Sequence, residues 1–402
     1  MEGNLNEYQQ YLRYYYRKIF PCKKICQWLD THDHLFPYRE FSFTLIKGAY
    51  LRYLQFMCHA DLQIRIHKLC PQKIDIGAIY NATPGPNTIG LKPLLKEFVI
   101  DIDISDYNDV RTCCTESNIC KRCWQYMVIA VKILHHSLKN EFSFKHILWV
   151  FSGRRGIHCW ISDKSALSLN EKSRYDISEH LIVVKDNFNL KRKVRLPEGD
   201  LLDNVKCALH IIKPIFIKFC VEDQNMLGTL ERIDAFLKLL PNKDEIQEEI
   251  KTILLQHETS LDRWNVFVEY FKRIDTKSDD WKYYSHFLDE VMLQYCYPRI
   301  DMEVSRSKNH LLKCPFTVHP ETGKIALPFK AKRIENFDPT NVPTLKSLLK
   351  IINDVPSKKF KSFKVDKDVF EQLSKAIIVF EKFIDKLEAK EKKLINCSGN
   401  TS

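Results

Sequence analysis

The stretch Phe98-Val99-Ile100-Asp101-Ile102-Asp103-Ile104 places two aspartates, one residue apart, inside an apolar run that is typical of a buried strand. Side chains alternate between the two faces of a strand, so Asp101 and Asp103 share one face while the isoleucines point into the core. A buried carboxylate is costly unless it is paired or binds a metal. The pattern therefore predicts a clamp for Mg²⁺ or Mn²⁺ beside substrate phosphates, and a solvated acidic face on an edge strand is the alternative.

A second segment predicts a phosphate-binding turn at the end of another buried strand. The apolar run His146-Ile147-Leu148-Trp149-Val150-Phe151 is followed directly by Ser152-Gly153-Arg154-Arg155-Gly156-Ile157-His158. The glycines permit a tight turn with close approach of the backbone. The arginines and the histidine are donors suited to a polyphosphate, although a surface turn with solvated arginines is the alternative for any single Arg pair. A carboxylate clamp and a phosphate-binding turn in one chain together indicate nucleotidyl transfer.

Composition favours a folded chain with an anionic partner. The chain has 402 residues, 45% hydrophobic residues and a formal net charge of +11. This length allows two domains, or one domain with a large insertion. The positive charge fits nucleic acid or a nucleotide, although charge alone does not exclude an acidic protein. No apolar run approaches the roughly 18 to 20 residues of a membrane span, and the N-terminus lacks a signal-peptide pattern, so no membrane partner is expected.

The apolar periodicity predicts strands in the first part of the chain and helices in the middle. Strand-like runs cover residues 41–46, 49–56, 74–79, 97–104 and 148–151. Helical spacing covers residues from about 6 to 19, most of 170–295, and 369–394. Candidate catalytic residues return at 299–319, after the helical region. We therefore expect an α+β fold in which a helical subdomain is inserted into a discontinuous catalytic domain.

Four cysteines lie close together in the pattern Cys113-Cys114-(x5)-Cys120-x2-Cys123. The chain has 14 cysteines and no secretory signal, which argues for reduced thiols and metal ligands rather than a disulfide framework. Cys120-x2-Cys123 is an ordinary zinc half-site, whereas an adjacent cysteine pair is less usual. Structural zinc is the leading interpretation, and an iron–sulfur cluster is the alternative.

Three longer motifs reveal a resemblance to a known family. They are Glu97–Trp124 (EFVIDIDISDYNDVRTCCTESNICKRCW), Phe151–Trp160 (FSGRRGIHCW) and Pro298–Ile325 (PRIDMEVSRSKNHLLKCPFTVHPETGKI). The sequence resembles the catalytic (small) subunit of archaeo-eukaryotic DNA primase, with the eukaryotic form as the nearest match, in the same motif order from about Tyr38 to about Pro343. The resemblance implies a mixed β-sheet catalytic (prim-fold) domain in two parts, 1–170 with the zinc motif at 113–123 and 291–402 with a C-terminal helix. Residues 171–290 would be the inserted helical subdomain.

The resemblance also implies three catalytic carboxylates. Asp101, Asp103 and Asp301 match the family's ligands for two catalytic Mg²⁺ or Mn²⁺ ions. Two carboxylates rarely suffice for two ions, which is a separate reason to expect a third. Asp301 follows Pro298-Arg299-Ile300, which we expect to be strand-like. Asp106 and Asp109 lie in the loop after the first two aspartates, and we expect them to face solvent or to cap a helix.

The nucleotide-binding residues implied by the resemblance form two sets. The set that matches the triphosphate site is Ser152, Arg154, Arg155, His158, Lys313 and His319. The set that matches residues near the sugar is Glu40, Arg52, Lys73 and Asp75. A polar cluster that reaches the 2′-hydroxyl would explain acceptance of ribonucleotides, because that group distinguishes RNA from DNA.

The family carries a structural Zn²⁺ at cysteines that match Cys113, Cys114, Cys120 and Cys123. This chain departs from the family pattern at Cys314, where the family commonly has a serine after the lysine that matches Lys313. Cysteine is a weaker hydrogen-bond donor than serine, which weakens any polar role of that position but leaves Lys313 unaffected.

The function implied is synthesis of short RNA primers on single-stranded DNA from ribonucleoside triphosphates, which initiates DNA replication. The implied partners are an iron–sulfur large subunit, which forms a heterodimer with this chain, and the DNA polymerase alpha complex; the implied location is the nucleus. A primase-polymerase relative that acts in repair or damage tolerance is the alternative enzyme. A nucleic-acid-binding subunit with an inactive site is the alternative without catalysis.

Overall fold

A computed structural model describes residues 7–46, 48–185, 191–241, 243–275, 278, 281, 283–352 and 362–398. The chain forms two compact units. Unit 1 comprises residues up to Asp101, Phe142–Ser178 and the chain from Asp301 onward. Unit 2 comprises Ile102–Glu141 and Glu179–Ile300.

The regular elements alternate between strands and helices in the first half of the chain. The helices are α1 (Glu7–Lys18), α2 (Cys22–Leu29), α3 (His59–Leu69), α4 (Lys121–Asn140), α5 (Lys164–Leu167), α6 (Glu171–Leu181), α7 (Asp203–Phe216), α8 (Leu230–Leu237), α9 (Asp244–Leu255), α10 (Ser260–Phe271), α11 (Phe287–Cys296), α12 (Met302–Arg306), α13 (Leu345–Leu348) and α14 (Lys367–Ser398). The strands are β1 (Arg39–Thr44), β2 (Tyr50–Leu54), β3 (Lys73–Tyr80), β4 (Pro93–Leu95), β5 (Phe98–Asp103), β6 (Ile147–Phe151), β7 (Gly156–Ile161), β8 (Leu312–Lys313), β9 (Pro328–Phe329), β10 (Leu349–Ile352) and β11 (Ser362–Val365). A π-helical segment, Ile217–Asp223, continues α7.

The first sheet of unit 1 has the strand order β2-β1-β3-β4, and β8 also pairs with β3. Strand β1 is antiparallel to both β2 and β3. Strand β8 is antiparallel to β3, with Lys313 opposite Asp75 and Leu312 opposite Ile76. This register places a residue from the last quarter of the chain beside one from the first quarter.

The second sheet of unit 1 has the strand order β5-β7-β6-β9. Strands β6 and β7 form an antiparallel hairpin in which Phe151 lies opposite Ile157. Strand β9 is antiparallel to β6, with Trp149 opposite Phe329. The two edge strands are therefore β5, which carries the paired aspartates, and β9.

Aromatic side chains hold helices onto the second sheet. The ring of Trp28 on α2 lies edge-on to Trp160 on β7, with the ring centroids 5.3 Å apart. The same indole packs against Phe380 of α14 at 5.7 Å. Its ring nitrogen donates to Ser162 Oγ at 3.0 Å, so the buried polar atom is satisfied. These contacts explain why α2 and α14, far apart in sequence, cover one face of unit 1.

Unit 2 is a helical bundle with its own aromatic core. Helix α7 packs against α4 and α11, and α9 packs against α8 and α10. Rings from three of these helices meet at Phe236, Phe267 and Phe287, with Phe236 and Phe267 edge-on at 4.9 Å. Such packing of apolar helix faces supplies most of the stability of a helical bundle.

The α+β class and the five predicted strands are confirmed, and the helices predicted near both ends of the chain are present. The first helix begins at Glu7, and residue 6, where the predicted helix starts, lies outside the described residues. The division into units differs from the predicted boundaries, because residues 102–141, cysteine motif included, belong with the helices of unit 2. The physical reason is that α4 packs on α7. Across the described parts of the chain, no helix has the length and apolar character needed to cross a membrane.

A buried ion pair joins the first and second sheets of unit 1, which also contains the separate two-stranded sheet β10-β11. Arg39, the first residue of β1, donates from both terminal nitrogens to the carboxylate of Glu97, just before β5, at 2.8 and 2.9 Å. Both side chains are almost fully buried. Burial alone would raise the pKa of Glu97, but the charge and hydrogen bonds of Arg39 outweigh this and hold that pKa below its usual value. The pair therefore fixes β1 and the start of β5 relative to each other.

We expect Arg39→Met to lower the free energy of unfolding by about 3–5 kcal/mol, because it leaves the Glu97 charge buried without its partner. The double variant Arg39→Met/Glu97→Met removes both charges, so it should regain most of that loss. Urea titrations followed by circular dichroism measure both. Equal destabilisation of the single and the double variant would mean that packing at Arg39, and not the charge pair, holds this junction.

Candidate active site

The paired aspartates lie on strand β5, so the predicted strand is confirmed, but β5 is an edge strand, as in the alternative interpretation. Ile100 and Ile102 are fully buried, whereas Asp101 and Asp103 are only partly covered, so the two faces of the strand differ as expected. The side chain of Asp101 is 30% exposed. Asp103 accepts hydrogen bonds at Oδ1 from the backbone nitrogen and the hydroxyl of Ser105, at 2.8 and 2.7 Å. Both carboxylates are thus accessible while the strand beneath them is anchored in the core.

Asp301 reaches the same strand by a different route from the one predicted. The prediction that residues 298–300 form a strand is wrong: they have no regular structure, and Asp301 is the N-cap of the short helix α12. Its Oδ1 accepts from the backbone nitrogens of Glu303 at 2.9 Å and Val304 at 3.2 Å, which satisfies amides that a helix start leaves without partners. Its own backbone nitrogen donates to Asp101 O at 3.1 Å. That bond places Asp301 directly beside β5.

The Ser152 turn (residues 152–156) joins β6 to β7 at the end of the second sheet. Ser152 Oγ accepts from Gly156 N at 3.0 Å, and Ser152 N donates to Gly156 O at 2.9 Å, which closes the turn. Gly153 has φ +89°, and a Cβ there would lie 3.0 Å from the Cβ of His319. Both the conformation and the space therefore require glycine at this position.

Several basic side chains converge on the Ser152 turn. Lys313 donates from Nζ to Ser152 O at 2.9 Å. Burial, and then the charge of Lys73, lower the pKa of Lys313 to about 8. Burial, followed by the charges of Lys313, Arg154, Lys73 and Arg155, lowers the pKa of His319 to about 3. The four cations that act on His319 are here called the cation cluster: Lys73, Arg154, Arg155 and Lys313. Such a cluster favours a polyanion.

His158 links the cation cluster to β5. Its Nε2 lies 3.6 Å from Asp101 Oδ1, and the ring is buried. Burial, with the charges of Lys313 and Lys73, lowers the pKa of His158 to about 3, so the ring is neutral at pH 7 and the approach to Asp101 is a polar contact rather than an ion pair. Its Nδ1 has no hydrogen-bond partner among the described residues. A buried nitrogen of this kind is available to a ligand oxygen.

Arg154 forms an ion pair that sequence reasoning did not anticipate. Its Nη2 lies 2.7 Å from Glu321 Oε2, and the carboxylate is mostly exposed. Exposed pairs of this kind contribute roughly 0–1 kcal/mol, so a phosphate can replace Glu321 at small cost.

The residues predicted to lie near a sugar form two contact groups on the first sheet. Glu40 is buried and accepts from Arg52 Nε at 2.9 Å and from the Tyr80 hydroxyl at 2.9 Å. Asp75 is buried and accepts from Ser42 Oγ at 3.0 Å, and Lys73 Nζ lies 3.0 Å from its other oxygen. Tyr80 and Ser42 were missed by sequence reasoning, because only the strand pairing brings them to these carboxylates.

Arg299 is another residue of the site region that the sequence pattern did not single out. Within unit 2 its guanidinium donates to the Asp109 carboxylate and to the carbonyl of Asp106. Its backbone nitrogen donates to the Tyr107 hydroxyl at 3.1 Å. Asp109 is partly exposed, as expected, but it also pairs with Lys193 at 3.2 Å. Arg299 thereby ties the residues just before Asp301 to the turn just after Asp103.

The four predicted cysteines come together in unit 2. The Sγ atoms of Cys113, Cys114, Cys120 and Cys123 all lie within 4.8 Å of one another, and they could hold a metal ion. Cys120 is the N-cap of α4, and its Sγ lies 3.5 Å from that of Cys113 and 3.8 Å from that of Cys123. Gln224 donates from Nε2 to Cys113 Sγ at 3.5 Å and accepts from Thr112 N at 2.8 Å. No sequence signal pointed to Gln224, which lies about a hundred residues further on.

Among the described residues, these cysteines are the one group of three or more His, Cys, Asp or Glu side chains whose potential metal-ligand atoms all lie within 4.8 Å of one another. Asp101, Asp103 and Asp301 are not such a group among the described residues. Oδ1 of Asp103 and Oδ1 of Asp301 each accept from a nearby backbone amide. Their predicted convergence on two ions stays a prediction.

Cys314, the departure from the family pattern, is buried, and its thiol donates to Pro315 O at 3.3 Å.

The site combines accessible carboxylates on an edge strand with a glycine turn and a cation cluster. These groups suit an enzyme that acts on phosphates, because carboxylates bind divalent cations and basic side chains bind phosphates.

Comparison with known proteins supports an enzyme of this kind. The model of the DNA primase small subunit family matches residues 100–331. The DNA primase small subunit of Drosophila melanogaster is 37% identical to this chain, over 96% of this chain and 92% of that protein. The DNA primase small subunit of Schizosaccharomyces pombe is 40% identical, over 83% of this chain and 76% of that protein. That of Saccharomyces cerevisiae is 34% identical, over 83% of this chain and 83% of that protein. The chain therefore belongs to the DNA primase small subunit family, as a catalytic subunit of the eukaryotic type.

We expect this site to bind a nucleoside triphosphate less well as Lys313 loses its proton. Between about pH 7 and pH 9, with a pKa of about 8, the charged fraction falls about tenfold, and the affinity measured without divalent cations should fall equally. Isothermal titration calorimetry with a non-hydrolysable analogue measures this change. In Lys313→Arg, which stays charged, most of the pH dependence should disappear. An unchanged pH dependence in that variant would assign the titration to another group.

Proposed function

We propose that this chain synthesises short RNA primers on single-stranded DNA by two-metal nucleotidyl transfer from ribonucleoside triphosphates. The observation that carries the proposal is the cation cluster at the Ser152 turn, next to the strand that bears Asp101. Cations gathered around one turn favour a polyanionic ligand, and accessible carboxylates beside them suit divalent cations. Membership in the primase family supplies the reaction that combines both.

The three aspartates fit hard divalent cations, because carboxylate oxygens are the ligands that Mg²⁺ and Mn²⁺ prefer. We assign Asp101, Asp103 and Asp301 to this role. Bound ions would activate the attacking 3′-hydroxyl and neutralise charge on the triphosphate. The chain itself supplies the positioning: β5 is anchored in the core, and the bond from Asp301 N to Asp101 O holds the two backbones together.

The triphosphate would be bound by the Ser152 turn and the residues around it. Arg154 and Arg155 can each engage phosphate oxygens in two-pronged fashion, whereas Lys313 acts as a point charge. The neutral rings of His158 and His319 would donate hydrogen bonds without adding charge to a crowded cluster. Ser152 completes the set that we assign to the triphosphate.

The sugar would lie near the two carboxylate groups of the first sheet. Glu40 is oriented by Arg52 and Tyr80, and Asp75 by Ser42 and Lys73. These fixed acceptors and donors suit a hydroxyl that can both donate and accept. We assign the set to the 2′-hydroxyl, which ribonucleotides carry and deoxyribonucleotides lack.

The four cysteines of unit 2 fit a structural zinc ion. Zinc–sulfur bonds of about 2.3 Å in a tetrahedron separate neighbouring sulfurs by about 3.8 Å, which the Cys120 distances approach. The four protein ligands leave no open position, so the ion would stabilise the start of α4 rather than take part in chemistry.

We assign the first and second sheets of unit 1 to the prim-fold catalytic domain and the helices of unit 2 to an insertion. The family name implies a larger partner subunit, which we propose to be the iron–sulfur subunit of a heterodimer that works with DNA polymerase alpha in the nucleus. The template would be single-stranded DNA, consistent with the net charge of +11.

We expect Asp301→Asn to abolish primer synthesis on a single-stranded DNA template, with a loss of about a hundredfold or more, because it removes a charge that holds the metals. Asparagine is as good an N-cap as aspartate, so the melting temperature should change little. Glu303→Gln, on the same short helix and exposed, is the matched control and should keep near-normal activity. Near-normal synthesis by Asp301→Asn would end the assignment of this carboxylate.

We expect about one zinc per purified chain, measured by plasma mass spectrometry, and loss of that zinc in Cys120→Ser. The variant should melt at a lower temperature, because the ion ties the residues before α4 together. Cys207→Ser, on α7 and outside the cluster, should retain both zinc and stability. Stoichiometric iron, or no tightly bound metal in the wild-type protein, would contradict the assignment.

A further inference from the structure

An open groove with an apolar floor lies at the edge of the second sheet that carries β9, the edge opposite β5. Its volume is about 540 Å³. We call this groove, floor and rim together, the α14 groove. Its floor includes Phe329, Phe337, Val342 and Ile378. Ile378 on α14 is 47% exposed although apolar side chains surround it in the groove. Exposed apolar surface with a polar surround is typical of an interaction site.

The rim of the α14 groove is mainly basic. Lys330, Arg333 and Lys375 line it and are exposed. One acidic residue, Asp338, is also present, but its carboxylate accepts from the backbone nitrogen and hydroxyl of Thr340 at 3.0 and 2.6 Å. An occupant that carries apolar side chains flanked by acidic ones is therefore complementary in both chemistry and charge.

The charge of the rim disfavours two other occupants. A second copy of this chain, docked through a two-fold axis, would place each basic rim against the other. The chain's own segment 353–361 (NDVPSKKFK) carries three lysines against one aspartate, so it would meet the rim with like charge. The family name supplies the remaining candidate, a larger subunit that binds this small one.

We propose that the α14 groove docks an acidic segment of the larger partner subunit, with apolar side chains inserted against Ile378 and Phe337. The inference rests on the proposed function, because the partner is the larger subunit of the same enzyme. Strand β9 is an edge strand, so an extended segment can lie along it while the helix α14 forms the other wall. The groove is at the edge of the sheet that does not carry Asp101, so docking leaves the catalytic strand uncovered.

The test measures binding of the full-length chain to the full-length larger subunit of the same organism. Biolayer interferometry gives the dissociation constant at about 0.1 M NaCl. Ile378→Asp should raise it about tenfold or more, because a charge replaces an apolar contact in the centre of the interface. Arg333→Glu/Lys375→Glu should raise it similarly, and this effect should shrink at about 0.5 M NaCl, whereas that of Ile378→Asp should persist.

Two controls match these variants. Ile64→Asp replaces an isoleucine on α3 that is 66% exposed, and Lys386→Glu reverses an exposed charge on α14 away from the groove. Both should bind within about twofold of the wild-type chain. Circular dichroism melts confirm folding, and the charge-reversal variant keeps the test decisive if Ile378→Asp does not fold.

Three outcomes would overturn the proposal. They are wild-type affinity in both groove variants, no binding by the wild-type chain, or a dimer of the chain alone that Ile378→Asp converts to monomers in light scattering. An assay of nucleotide incorporation by the isolated chain separates this proposal from the proposed function. The Ile378→Asp variant should keep normal incorporation. If Asp301→Asn also kept it, the assignment of the active site would be wrong, but the docking proposal would not be affected.

Discussion

The buried ion pair of Arg39 and Glu97 is the interaction on which the arrangement of unit 1 depends. It connects the first strand of one sheet to the residue that precedes β5 in the other. Its neighbours extend the network: Arg174 donates to the carbonyls of Lys96 and Glu97, and Lys96 donates to the carbonyl of His310. A buried charge without a partner is far more costly than one that is satisfied, so each of these buried side chains depends on its partners. Strand β5 and the segment leading to Lys313 are fixed as a consequence.

The charges of the candidate active site, in contrast to those of the Arg39–Glu97 network, are not fully neutralised by neighbouring charges of opposite sign. Lys73 pairs with Asp75, and Arg154 pairs with an exposed glutamate, yet burial and then the neighbouring cations lower the pKa of Lys313 and of His319. Crowded cations cost the folded chain some stability, and binding of an anion offsets that cost. An anion that neutralises the cluster also raises the pKa values of Lys313 and His319 again. A triphosphate with its cations can neutralise both the basic and the acidic side of such a site.

Local patterns revealed the parts of the site that depend on neighbours in sequence. Alternation along β5 was enough to predict which face Asp101 and Asp103 share, and the glycines around Arg154 were enough to predict a turn. The position of Asp301 was predicted, but its structure was not, because a helix cap and a strand end look alike in a five-residue window. Tyr80, Arg299 and Gln224 had no local signal. Each acts through a partner dozens to hundreds of residues away, which only strand pairing or helix packing determines.

The two edges of the second sheet face different demands. An edge strand exposes backbone groups that invite pairing with another chain, and proteins limit this with charge, short strands or a covering element. Strand β5 carries two aspartates, whose charge opposes pairing with another chain. Strand β9 has two residues and is bordered by a basic rim, which would repel basic segments and admit acidic ones. Phe337, in the floor of the α14 groove, packs against Phe151, the residue before the Ser152 turn, with the ring centroids 5.6 Å apart. A partner docked at this edge would therefore press on the strand that leads into the Ser152 turn, without covering β5, which holds Asp101 and Asp103.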